Sequence, residues 1–106
     1  MVKFIAHYKQ PADPAAFDKH FFEVHKPLCD AVPNLLKMEV TKVTGTPRGP
    51  AELYLIVEMY FESQQVMMDS LMGEAGMATA KDARAFAKDI FTGMFGEVVD
   101  TAKVMA

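Results

Sequence analysis

Nine consecutive residues, Leu53-Tyr54-Leu55-Ile56-Val57-Glu58-Met59-Tyr60-Phe61, are nearly all strong β-formers, with a single charge among them. Alternation puts Leu53, Leu55, Val57, Met59 and Phe61 on one side of such a strand and Tyr54, Ile56, Glu58 and Tyr60 on the other. Both sides are then partly apolar, so the sheet that holds this strand needs cover on both faces.

The flanking segments indicate what supplies it. Val2 to Lys9 is a short β-forming run closed by Gln10-Pro11. Asp13-Pro14 offers an N-cap with proline in the first helical position, and Pro33-Asn34 ends the helical region that follows. From Leu36 to Val43, Leu36, Met38 and Val40 alternate with Lys37, Glu39 and Thr41, the period of a strand with one wet side. Thr44 to Pro50 is turn chemistry, too short of the GxxxxGK[ST] spacing to cradle a phosphate. Ser63 caps a helix that runs through Met72 to a stop at Gly73; a further helical stretch covers about Gly76 to Ala87. Ile90 to Val99 is the last strand, its Gly93 and Gly96 predicting a bulge or a close backbone approach.

The order β-α-β-β-α-β is the split βαβ arrangement of ferredoxin-like α+β domains: two helices on one face of a four-stranded antiparallel sheet, the other face bare. Two such bare faces would bury each other in a homodimer, at about 25 cal/mol per Å² of apolar area hidden. The 106 residues, 51% hydrophobic and 24% charged, suit one domain across 1–106. A net charge of −3 with no Lys/Arg run excludes nucleic acid as the expected partner. Cys29 stands alone, and no charged leader precedes an apolar segment, so a cytoplasmic protein is expected. No apolar run approaches the roughly 18 residues that span a bilayer, so no membrane partner is expected.

Candidate chemistry concentrates in Phe17-Asp18-Lys19-His20-Phe21-Phe22-Glu23-Val24-His25-Lys26-Pro27-Leu28. At about 100° per residue, Phe17, Phe21, Val24 and Leu28 share one helix face; His25 and His20 flank it at about +80° and −60°. A half-buried histidine there titrates near neutral pH and suits proton transfer, although a boundary residue with one satisfied hydrogen bond is the plainer reading. Pro27 inside the pattern predicts a kink or restart near His25 and Lys26. Five residues apart, the two rings point about 140° away from each other. His7, His20 and His25 are therefore not expected to form a metal site. Tyr8, Tyr54 and Tyr60 are candidate donors to a substrate oxygen. Met38, Met59, Met67 and Met68 are candidates for an adaptable apolar lining.

The opening Lys3-Phe4-Ile5-Ala6-His7-Tyr8-Lys9, the run Phe17-x-x-His20-Phe21-x-x-x-His25-x-Pro27-Leu28 followed by Pro33-Asn34-Leu35, and the late Asp82-x-x-x-Phe86 resemble the EthD family. That family is named for a role in bacterial degradation of ethyl tert-butyl ether. The resemblance implies a dimeric α/β barrel of the ferredoxin-like fold. It also implies kinship with muconolactone isomerases, polyketide cyclases, metal-free monooxygenases and haem-dependent enzymes. It makes His20 and His25 pocket residues, His25 the favoured acid/base. Phe21, where the family commonly carries Tyr, joins Tyr8, Tyr54 and Tyr60 as a substrate-binding candidate. Leu71 to Ala80 carries a weaker version of the family's small-residue and proline-rich segment.

The resulting expectation is a small dimeric catabolic or tailoring enzyme, an isomerase, cyclase or oxidoreductase-like catalyst. It would bind a small apolar or aromatic carbonyl compound between helices and sheet. With no GxGxxG, no metal constellation and no tryptophan, no cofactor is expected. The alternative is a non-catalytic carrier or scavenger of a hydrophobic intermediate. A haem protein comes third, since it needs a histidine open to a much larger cavity.

Overall fold

A computed structural model describes residues 1–102. Its elements are β1 (Val2–Lys9), α1 (Pro14–His20), a π-helical turn (Phe21–His25), α2 (Lys26–Asp30), β2 (Lys37–Lys42), β3 (Leu53–Phe61), α3 (Gln64–Met72), α4 (Glu74–Ala87) and β4 (Phe91–Glu97). The sheet is antiparallel in the order β2-β3-β1-β4, which is the ferredoxin-like topology. Leu55, Val57, Met59 and Phe61 of β3 and Ala6 and Tyr8 of β1 point into the core beneath the helices. Each large side chain fully removed from water there contributes about 1.5–3 kcal/mol. No helix among the described residues is long and apolar enough to cross a membrane.

Local signals account for most boundaries. Asp13 accepts the Ala16 N–H at 3.1 Å and Ser63 accepts the Val66 N–H at 3.2 Å, each satisfying an orphan donor at a helix start. Gly73, in extended backbone, ends α3 and starts α4, which is longer than its apolar pattern indicates, beginning at Glu74. Gly93 is a close approach rather than a bulge. Its pairing with Ala6 stays in register, and a Cβ there would lie 2.8 Å from the Phe4 ring.

Three expectations are corrected. The helix restarts at Lys26, as expected, but it buries other residues than the regular period predicts, and the cause is Pro27. In a regular α-helix its ring would meet the carbonyl of Glu23, and the turn before it widens instead, Lys26 N–H reaching back five residues to Phe21 O. The widened turn shifts the buried face to every fourth residue: Phe17, Phe21, His25 and Cys29. Val24, expected in the core, is left 44% exposed. Tyr54 does not share a face with Ile56, because a register shift opposite Tyr8 and Lys9 puts an extra residue into β3 and turns Tyr54 under α1. There its ring packs edge-on to Phe17 and its hydroxyl donates to Asp18 Oδ1 at 2.8 Å. The bare sheet face is also more polar than expected. It holds half-buried Ile5 and Ile56, but also a Lys3–Glu58 ion pair and Tyr60, whose hydroxyl donates to Glu39 Oε1 at 2.6 Å.

Candidate active site

The π-helical turn decides what faces the interior. An extra residue per turn brings positions 20 and 25 onto neighbouring azimuths, so the 140° separation of a regular helix disappears. Both rings meet one carboxylate, Asp82 of α4. His25 Nδ1 lies 2.9 Å from Asp82 Oδ2, and His20 Nε2 lies 3.0 Å from both Asp82 oxygens. A carboxylate only accepts, so each of these ring nitrogens donates. Neutral His25 then carries its proton on Nδ1 and leaves Nε2 as a bare acceptor.

Nε2 points toward Tyr8 of β1, whose hydroxyl donates to it at 3.5 Å, a long contact with room to tighten. Phe86, one helical turn after Asp82 on the same face of α4, wedges between the two histidines. Its ring centroid is 4.5 Å from that of His20, stacked at 27°, and 5.1 Å from that of His25. Phe21 backs the pair, its fully buried ring 5.6 Å from His25 and 6.0 Å from Tyr8.

Burial sets the protonation states. His25, 5% exposed, is held below the ordinary histidine value chiefly because its charged form would lose hydration; the hydrogen bond and charge of Asp82 offset only part of this. Burial pushes the Tyr8 phenol well above its ordinary value, so it stays a neutral donor. Burial likewise pushes the Cys29 thiol up to about 12, leaving it an un-ionised wall residue.

Tyr8, His25 and Cys29 line a cavity of about 390 Å³ between the sheet and α4. Its walls are otherwise mainly apolar, with Phe4, Ala6 and Val57 from the sheet and Leu71 and Ala83 from the helices, beside the polar Thr79. Among the described residues that line it, Arg84 is the one permanent charge. The lining methionines are Met59, Met72, Met77 and Met94, so of the four expected only Met59 is among them. His20 opens instead onto a wider cleft of about 620 Å³ beside Arg84 and Lys88, and its side chain is 34% exposed.

Of the residues singled out in the sequence, the structure thus brings His20, His25, Tyr8 and Phe21 together. Tyr54, beneath α1, and Tyr60, on the bare sheet face, stand apart from the cavity. Asp82 escaped notice as a functional residue. The signal available for it was its four-residue spacing to Phe86, which marks one helix face. Among the described residues no group of three His, Cys, Asp or Glu side chains is arranged to hold a metal ion.

The EthD domain model matches residues 9–89. An uncharacterized 11.0 kDa protein in the thcB-thcC intergenic region of Rhodococcus erythropolis is 32% identical over 88 residues, covering 83% of this chain and 85% of its own length. The crystal structure of an ethyl tert-butyl ether d (EthD) family protein from Bacillus halodurans superposes with a TM-score of 0.92 at 41% identity, over 93% of this chain and 99% of that one. SnoaB, a cofactor-independent oxygenase from Streptomyces nogalater, shares the fold at 11% identity with a TM-score of 0.68, over 93% of each chain.

Proposed function

The chain belongs to the EthD domain family, and from its site we propose that it is a small enzyme that moves protons on a carbonyl compound bound in the apolar cavity. The observation that carries this reading is His25 itself: a buried imidazole with Nδ1 tied to Asp82 and a bare Nε2 at the cavity beside a neutral phenol. His25 Nε2 takes a proton from the carbon next to the carbonyl, and the C–H electron pair moves toward oxygen to form an enolate. The Tyr8 hydroxyl donates to that oxygen. Asp82 stabilises the imidazolium through Nδ1–H. The proton then returns from Nε2–H to the same carbon, or, where the substrate carries a double bond conjugated with the enolate, to the far carbon of the resulting dienolate, giving an isomer. General acid–base action of this kind contributes about 10²–10⁴-fold. The cavity volume and apolar walls favour a small apolar or aromatic substrate.

The test uses aromatic ketones and lactones incubated with the protein in D₂O, with loss of the α-hydrogen signals followed by NMR. Exchange that His25→Asn abolishes is the expected result. Exchange that persists undiminished in that variant refutes the assignment. Tight binding of these compounds without exchange favours the second reading, a carrier of hydrophobic intermediates, which the exposed Met72 and Met77 among the lining residues would suit.

The working form is a homodimer closed through the bare sheet faces, supported by the half-buried Ile5 and Ile56 on that side. A stable folded monomer in sedimentation at micromolar concentration overturns it.

A further inference from the structure

Asp82 sits in a fork between two imidazoles. His25 Nδ1 donates to Oδ2 alone at 2.9 Å, whereas His20 Nε2 lies 3.0 Å from each oxygen and so on the bisector of the carboxylate. His20 itself has little freedom. It ends α1 at the entry to the π-helical turn, and its ring is stacked on Phe86 at 4.5 Å. Asp82 does have an alternative, since its side chain is 15% exposed and the cleft beside His20 is open. A carboxylate held by one donor in apolar surroundings gains hydration by turning toward such an opening. A second donor on its bisector removes that gain.

We propose that His20 is a positioning residue, whose Nε2–H holds the Asp82 carboxylate against His25 Nδ1 and so keeps Nε2 of His25 bare toward the cavity. This rests on the reading of Nε2 as the base and deepens it: the basic nitrogen is chosen by a residue that lies in a different cleft. The groups that bear on His25 are few. They are Asp82 from α4, His20 from α1, Tyr8 from β1 at Nε2, and the un-ionised Cys29 from α2, with Arg84 on the same cavity wall.

Two roles for His20 predict opposite signs. Acting only as a nearby positive charge, it opposes protonation of His25, and its removal raises the proton affinity of His25. Acting as the clamp on Asp82, it favours that protonation, and its removal lowers the affinity because the carboxylate leaves.

The experiment is an NMR pH titration of the His25 ring, read through its nitrogen and carbon-bound proton shifts, in the full chain and in His20→Phe, which keeps a ring against Phe86. The expected result is a His25 midpoint lower by about 0.5 unit or more, together with a mixture of Nδ1–H and Nε2–H forms in the neutral ring. His20→Gln, with an amide N–H that reaches the carboxylate, restores both readings. A raised midpoint, an unchanged one, or failure of His20→Gln to restore it overturns the proposal. If His20→Phe does not fold, His20→Met provides the same comparison. The titration needs no substrate, so a turnover screen that sinks the enzyme reading leaves this result legible.

Discussion

Acidification isolates the energetic consequence of burying His25. In the fold its proton affinity lies below the ordinary value of 6.5, chiefly because the ring is cut off from water, with Asp82 at 2.9 Å restoring only part of the loss. The unfolded chain therefore binds the proton first. Above pH 6.5 neither state holds it, and this group contributes its full stabilisation. As the pH falls below 6.5 the unfolded state gains the proton and stability declines, until His25 also protonates in the fold and the decline stops. One pH unit below the unfolded value the loss has a ceiling of RT ln 11, about 1.4 kcal/mol. Urea unfolding of the wild type and of His25→Gln at about pH 7.5 and about pH 5.5 measures it. The wild type should lose more stability than the variant between these conditions, by an amount under that ceiling. Asp82→Asn removes the group that props up the affinity, so its loss should lie closer to the ceiling than that of the wild type. Equal pH dependence in wild type and His25→Gln would refute the argument that burial controls this ring.

Gly76→Ala should destabilise by about 1–3 kcal/mol or more in denaturant melts, because the new Cβ would fall 2.2 Å from Leu71 O and 2.4 Å from Leu71 Cα, backbone atoms that move only with the α3–α4 junction; a neutral substitution would mean that the junction is looser than described. Tyr8→Phe should change the unfolding free energy by about 1 kcal/mol at most, since the hydroxyl makes one long contact, yet strongly reduce deuterium exchange into bound ketones. Unchanged exchange would remove Tyr8 from the enolate step. Ile56→Glu should leave far-ultraviolet circular dichroism unchanged while shifting sedimentation to the monomer, because a charge replaces a half-buried residue on the bare sheet face. A dimer that survives the change would place the contact elsewhere.

What the chain determines by itself is what depends on near neighbours. Asp13-Pro14 and Ser63 start helices where their side chains bond N–H groups three residues on, and Leu53–Phe61 is a strand from end to end. In β2, Met38 and Val40 face the core and Lys37, Glu39 and Thr41 the bare face, as alternation demands. Two histidines in the first helical arm could likewise be picked out from their spacing. Tertiary structure decided which face they present. Pro27 was visible, but whether its clash is relieved by a kink or by a wider turn depends on what the helix packs against. Only the wider turn seats His25 and Cys29 in the core, where a regular 3.6-residue period puts Val24 and Leu28. Alternation puts Tyr54 on the wrong face for a similar reason: one bulged residue, invisible to a period of two, rotates it from one side of the sheet to the other. On α4, Asp82 is one of two acids among mostly small and apolar residues, and nothing local ties it to a histidine. It becomes the centre of the site because folding carries it across 57 residues of chain to His25. Hydrogen bonds between groups so far apart have no local periodicity to announce them, whereas caps and alternation act within a few residues and are written in the order of the amino acids.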